Sequence, residues 1–301
     1  MNHAVTLIKQ RTSRRQILKG LSLGTLGLAS INLITRKSSA APLGTIPAAD
    51  AQILGSALNL EYLEAEYYTY ATTGSGIEAQ GLDVTGTGNP GSVIIKPNPQ
   101  VPFSNVALQQ YALEIAADER AHVNFMRRVL LGTRNQPPAR PAIDLMDSFS
   151  ALAQAAGIVG AGEAFDPFAN EFTFLLGAFI FEDVGVTAYR GVIPSIANKT
   201  ILSSAAGILG TEAHHAATIR TELIEFGGFA VDAAQRISDV RDALDGGSNM
   251  DEGIVKDGAP NIVPADQTGI VFTRSMRQVL NILYEGVNTM QGGFFPNGIN
   301  P

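Results

Sequence analysis

Glu119-Arg120-Ala121-His122 and Glu212-Ala213-His214-His215 are two copies of one spacing, a carboxylate followed three residues later by an imidazole. On a helix, residues three apart are neighbours on one face, so each copy presents both donors toward one ion, or toward an ion and its neighbour. A single copy arises often by chance. Two carry weight here because the chain has only 4 histidines, and of His122, His214 and His215, the three beyond the N-terminal segment, two fall in this register. His214 sits about 100° round the helix from His215 and reads as a solvent-facing neighbour.

Outward from these tetrapeptides the pattern doubles. Glu61 is followed seven residues later by Tyr68, and Glu182 seven residues later by Tyr189. In each half a helix carrying a Glu precedes a helix carrying Glu-x-x-His, and each of the two histidines is followed five residues later by an arginine, Arg127 or Arg220. The chain therefore reads as a duplicated helix pair. The interval from Glu61 to Glu119 is 58 residues and that from Glu182 to Glu212 is 30. A Gly/Pro-rich insertion at about residues 73–103 accounts for the difference.

Periodicity and punctuation place the elements. The first helix spans about Ala49 to Thr72. The second starts at Ser104 as N-cap and stops at Gly132. A long crossover follows, with a short helix from Phe149 to Ile158. Asp166-Pro167 then opens the third helix near Phe168, which runs to about Tyr189. The fourth covers Thr200 to Phe226 and ends at Gly227-Gly228. Beyond it the sequence predicts a helix from Val231 to Leu244, an extended Gly269 to Phe272, a helix from Ser275 to Tyr284, and turns from Gly292 to Gly298. Ser92 to Lys96 reads as strand-like, and Phe172, Phe174, Phe179 and Phe181 as core. The expected organisation is a bundle over residues 41–228 and a C-terminal extension, residues 229–301, packed on it.

Residues 1–40 are different in kind, with seven basic and no acidic residues. Ser13-Arg14-Arg15-Gln16-Ile17-Leu18-Lys19 resembles the twin-arginine export motif. The uncharged stretch Gly20 to Thr35 and the small residues Ser38-Ser39-Ala40 complete the layout of a cleavable signal. That stretch is short for a membrane span, so a membrane is expected as a partner only through an uncleaved signal. The twin-arginine machinery carries folded proteins, which implies that any cofactor is acquired before export and that the protein works in the periplasm or outside the cell. Removal of this segment takes the formal charge from −7 to −14, which argues against nucleic acid as a partner. With no cysteine in 301 residues, disulfides, thiolate metal sites, Fe–S clusters and Cys-x-x-Cys-His haem are excluded. Any metal must sit among oxygen and imidazole donors.

One Glu from each of two helices plus Glu-x-x-His from each of two others resembles the ligand set of ferritin-like di-iron and di-manganese carboxylate proteins. Glu61 with Tyr68-Thr69-Tyr70 is similar to the first helix of rubrerythrin-type members. The signal, the insertion, and the tail motifs Asn261-Ile262-Val263-Pro264-Ala265-Asp266 and Phe294-Phe295-Pro296-Asn297-Gly298 resemble the exported ferritin-like proteins related to plant desiccation-associated proteins. The resemblance implies an all-α, antiparallel four-helix bundle with a long crossover. It implies Glu61 and His122 as terminal ligands of one metal, Glu182 and His215 as terminal ligands of the other, and Glu119 and Glu212 as bridges. Four carboxylates and two divalent ions make a neutral buried site; without metal some carboxylates should hold protons. Tyr68 and Tyr189 are candidates to orient a ligand or quench a radical, with core packing as the alternative. Asp118, Asp183, Arg127 and Arg220 are either supporting groups or solvated ion pairs.

Carboxylate and imidazole suit iron or manganese, which implies redox chemistry on O2 or peroxide, as a ferroxidase, peroxidase or catalase-like oxidoreductase. Two rivals are a non-enzymatic stress or desiccation protein stabilised by its metal, and iron storage. A homo-oligomer stays open.

Overall fold

Residues 48–73 hold one glycine and no proline, and they form α1 (Ala48–Thr73), which ends where Gly74 adopts φ +77° and its N–H bonds Tyr70 O. The protein is described by a computed structural model over residues 45–246 and 249–301; the signal expected at residues 1–40 lies outside the described residues. The second long helix, α2 (Val106–Gly132), starts one residue later than the sequence suggests. Asn105, not Ser104, is its N-cap and accepts from the N–H groups of Ala107 and Leu108. Ser104 instead donates to Glu171, from its backbone N–H at 2.5 Å and from its hydroxyl at 3.1 Å.

A short α3 (Asp147–Ala155) leads to α4 (Glu171–Val192). The start expected near Phe168 is displaced because Asp166 is engaged elsewhere, bonding Phe168 N–H and, at 2.5 Å, Lys96. Asn170 and Thr173 cap α4 reciprocally. Asn198 caps α5 (Lys199–Glu225), and α6 (Gly228–Leu244) and α7 (Met276–Leu283) follow. Strands are vestigial: β1 (Val93–Ile94) pairs in parallel with β2 (Ile143–Asp144), and β3 (Val255–Lys256) pairs antiparallel with β4 (Ala259–Pro260). The segment expected to be extended from Gly269 to Phe272 contributes a single bridge, Val271 with Ala265.

The architecture is an all-α bundle of α1, α2, α4 and α5. Its principal packings are α1 on α2 and α4 on α5, closed by α2 against α5 and α1 against α4. By length and composition α4 is apolar enough to cross a membrane. Its residues from Phe174 to Tyr189 are instead buried among the bundle, α6 and α7. Phe174, Phe179 and Phe181 are core as expected, each contributing about 1.5–3 kcal/mol by burial. Phe172 departs from that reading: it is only partly buried and packs at the bundle end with the exposed Phe226 and Phe229.

The paired arginines are not solvated. Buried Arg127 bonds Tyr62, Thr85 O and Asp83, anchoring the insertion. Buried Arg220 bonds Asp183 at 2.7 Å and the carbonyls of Glu252, Gly253 and Asn261, anchoring the tail. Asp183 also pairs with Arg241 at 2.9 Å. Arg241 meets Asp251 at 2.5 Å, and Arg274 joins Asp251 at 2.8 Å and Asp245 at 3.0 Å. At the end of the sequence, Asn300 exchanges two hydrogen bonds with Asn59 of α1 and three more with Asn89 and Ala139.

Candidate metal centre

The three-residue spacing on α2 and α5 turns Glu119 with His122, and Glu212 with His215, inward, where α1 adds Glu61 and α4 adds Glu182. All six side chains are buried, the four carboxylates to within 1% of complete enclosure. His122 Nδ1 lies 3.1 Å from Glu61, 3.5 Å from Glu119 and 3.7 Å from Glu212. His215 Nδ1 lies 3.1 Å from Glu119 and 3.5 Å from Glu182. Two groups of donor atoms emerge, each with mutual distances under 4.8 Å: Glu61, Glu119, His122 and Glu212; and Glu119, Glu182 and His215. Glu119 belongs to both, with Oε2 toward His122 and Oε1 toward His215.

Both oxygens of Glu119, both of Glu212, Glu182 Oε2 and His215 Nδ1 are buried without an aligned hydrogen bond. They crowd one another without pointing donor to acceptor, which is how ligands stand around a common centre. Each such orphan costs about 1–3 kcal/mol unless something satisfies it. Hard oxygens with two imidazoles fit iron or manganese, and metal bound among them would satisfy the orphans.

The tyrosines exchange halves. Tyr68 donates its hydroxyl hydrogen to Glu182, and Tyr189 donates to Glu61. Burial and the adjacent carboxylates hold both phenols well above their ordinary range, so they stay protonated donors. Each half thus fixes the other half's terminal carboxylate, as a pseudo-twofold axis through the centre requires.

Without counter-ions the centre is held together by proton sharing. Burial, reinforced by Glu119, lifts Glu61 to about 7 despite His122. Burial also opposes ionisation of Glu119, but the imidazoles of His122 and His215 on either side bring it to about 2. Burial alone would lower His122, yet Glu61 and Glu119 drive it to about 12. Glu212 is pushed well up by burial, then by Glu119 and Glu64.

Glu64 is the residue the sequence reading passed over in favour of Glu61. It is 5% exposed and raised well above the carboxylate range by burial and by Glu119 and Glu182. When Glu61 is superposed on Glu182, Glu64 falls on Gly185. A Cβ on Gly185 would stand 2.3 Å from Glu212 Oε2 and 3.4 Å from Glu64 Oε1. The missing side chain on α4 is the room these two carboxylates occupy.

A polar groove of about 350 Å³ runs between α2 and α5, lined by Tyr111, Glu114, Asp118, Thr211, His214 and His215 among others. His214 is exposed there and outside the buried cluster. Asp118 lies 3.3 Å from His215 Nε2. A carboxylate there holds the ring with Nδ1 inward. The opposite, α1–α4 side carries only a cleft of about 20 Å³ beside Glu64, Tyr189 and Leu283 of α7.

Comparison with known proteins agrees with the fold. The model of the ferritin-like domain family matches residues 49–225. A ferritin-like catalase, Nec2, of Nesocodon mauritianus is 26% identical over 285 residues, covering 87% of this chain and 88% of the relative. The desiccation-related protein PCC13-62 of Craterostigma plantagineum is 28% identical over 252 residues, covering 78% and 77%. No solved structure matches the chain.

Proposed function

The chain belongs to the ferritin-like domain family, and on that premise we propose that it is an exported dinuclear iron or manganese protein that disproportionates peroxide. The observation that carries this reading is Glu119, which offers one oxygen to each of two histidines at the junction of two donor groups. Glu61, Glu119, His122 and Glu212 would hold one ion, and Glu119, Glu182 and His215 the other. Two such ions supply reversible oxidation-state changes, so electrons taken from one peroxide can be returned to the next.

The chain's own residues do the rest. Tyr68 and Tyr189 hold the terminal carboxylates in place, and Asp118 orients His215. Burial keeps bulk water from the donor atoms, and the α2–α5 groove gives a small polar molecule a route to His215. A catalase among relatives aligned over nearly their full length supports peroxide over other oxygen species. The twin-arginine motif supports folding and metal loading before export to the periplasm or beyond.

The desiccation-related relative favours a second reading, in which the ions only stabilise the bundle. Oxygen evolution from peroxide by metal-loaded protein separates the two. Turnover that falls at least a thousandfold in Glu119→Ala supports the enzyme; metal-dependent melting without turnover supports the protective role.

A further inference from the structure

A cavity of about 170 Å³ lies at the start of α3, apart from the donor groups. Its walls are mostly apolar, with Leu145, Met146, Phe165 and Phe168 among them, and the half-exposed Lys96–Asp166 pair supplies its charge. An apolar cavity of about 150 Å³ is enough to hold one benzene ring. An ammonium has three N–H donors, of which Asp166 takes one from Lys96. Phe168 joins this cavity to the metal centre. Its ring lies 5.4 Å from that of Tyr67, and Tyr67 lies 5.3 Å, edge-on, from Tyr68, whose hydroxyl donates to Glu182. Both spacings are those of rings in contact, and all three rings are within 2% of complete burial. Tyr67 is seated against Gly177 of α4, where a Cβ would stand 2.4 Å from the phenol oxygen. This run of rings belongs to one half of the bundle. When Glu61 is superposed on Glu182, Tyr68 falls on Tyr189 but Tyr67 falls on Ala188. The duplication therefore does not account for Tyr67, an oxidisable ring standing between the centre and a ring-sized cavity.

We infer that this cavity binds a small phenol as a reductant, and that its electrons reach the centre through Tyr67 and Tyr68, a peroxidase activity beside disproportionation. The apolar walls take the ring, and Lys96 offers its remaining N–H groups to the phenol oxygen. Two phenols each give up one electron and the hydroxyl proton, the protons leaving to solvent. One peroxide takes up two electrons and two protons, its O–O bond breaks, and two waters form. The two phenoxyl radicals leave the cavity and couple in solution. Disproportionation needs none of this route, because there the second peroxide is the reductant.

This rests on the peroxide reading, and the two fail separately. With guaiacol as the probe, binding to the metal-free chain is followed by NMR titration. Its oxidation by peroxide with the manganese-loaded chain is followed by absorbance, with oxygen evolution and melting recorded alongside. Ala164 is an exposed residue on the cavity wall, so Ala164→Phe fills the space without entering the core. It should weaken guaiacol binding and slow guaiacol oxidation by at least about tenfold each, with oxygen evolution unchanged. Tyr67→Phe keeps the ring contacts but is harder to oxidise. It should bind guaiacol as wild type does and oxidise it at least about tenfold more slowly. The inference is overturned if metal-free wild type binds no guaiacol, or if either variant oxidises guaiacol at the wild-type rate. Wild type that binds guaiacol but evolves no oxygen sinks the peroxide reading instead. Should Ala164→Phe fail to fold, Tyr67→Phe carries the test.

Discussion

Two clusters of buried charge reach α4 at consecutive residues, Glu182 and Asp183, about 100° apart round the helix, and they are built on opposite principles. On one side Arg220, Arg241 and Arg274 meet Asp183, Asp245 and Asp251, three cations against three anions, at 2.5 to 3.0 Å. On the other, four carboxylates face two histidines, and both oxygens of Glu119, both of Glu212, Glu182 Oε2 and His215 Nδ1 are left without aligned partners. The first cluster balances its charges, every carboxylate meeting at least one guanidinium although Asp183 Oδ1 and Arg241 Nε lack an aligned hydrogen bond, and it fastens the tail to the bundle. The second has an excess of carboxylates and the larger share of atoms without aligned partners, an arrangement that could hold a metal ion. Burial of charge alone does not identify a site; the state of its partners does.

The sharpest way to break this comparison is to remove one member from each cluster. Arg241→Ala leaves two buried carboxylates each with one cation fewer, Asp183 with Arg220 alone and Asp251 with Arg274 alone. It should cost roughly 3–5 kcal/mol in urea unfolding, whether metal is present or not. Glu119→Gln should leave the metal-free fold intact by the same measurement while abolishing retention of both ions. Comparable losses from both variants would remove the distinction.

Metal removal comes next in size. If the open cluster is completed by ions, chelation should lower stability by about 3–4 kcal/mol when free metal had exceeded its dissociation constant by some two to three orders of magnitude. In Glu119→Gln, chelation should change nothing.

Glu285 supplies an intermediate case, a carboxyl with neither cation nor a donor group around it. Burial and then Asp144 raise it from 4.5 to about 8. Because its folded value lies above its unfolded one, its contribution is complete below about pH 4.5 and is lost as pH rises toward 8. Wild type should therefore lose up to about 1.4 kcal/mol per pH unit across that window relative to Glu285→Gln. Parallel pH profiles for the two would refute the assignment. The smallest effect belongs to Asp83. Its side chain is 60% exposed in its pair with Arg127, so Asp83→Ala should cost less than about 1 kcal/mol.

What the sequence disclosed follows from the range of each interaction. The Glu-x-x-His pairs were legible because they are set by one turn of helix. The duplication was legible because it repeats at fixed intervals, and together these yielded the bundle and the six inward-facing donors. The caps at Asn105 and Asn170 were missed because Ser104 and Asp166 are drawn away by Glu171 and Lys96, partners 67 and 70 residues distant. The exchange of tyrosines depends on how the halves pair in space, and no spacing within one half records it. Glu64 left one overlooked signal, its alignment with Gly185. Of the three buried arginines, Arg220 left its five-residue offset from His215 while Arg241 and Arg274 left none, since a charge pattern alone does not tell a core ion pair from a solvated one.

Asn300 has a consequence for biosynthesis. Its backbone N–H and C=O complete the hydrogen bonding of the Asn59 side chain, two positions before Glu61 on the first bundle helix. A ribosome must therefore translate at least as far as codon 300 before that helix has its final clasp. A nascent chain still short of that point holds its first carboxylate helix without this clasp, so a truncation before Asn300 would be felt two positions from Glu61.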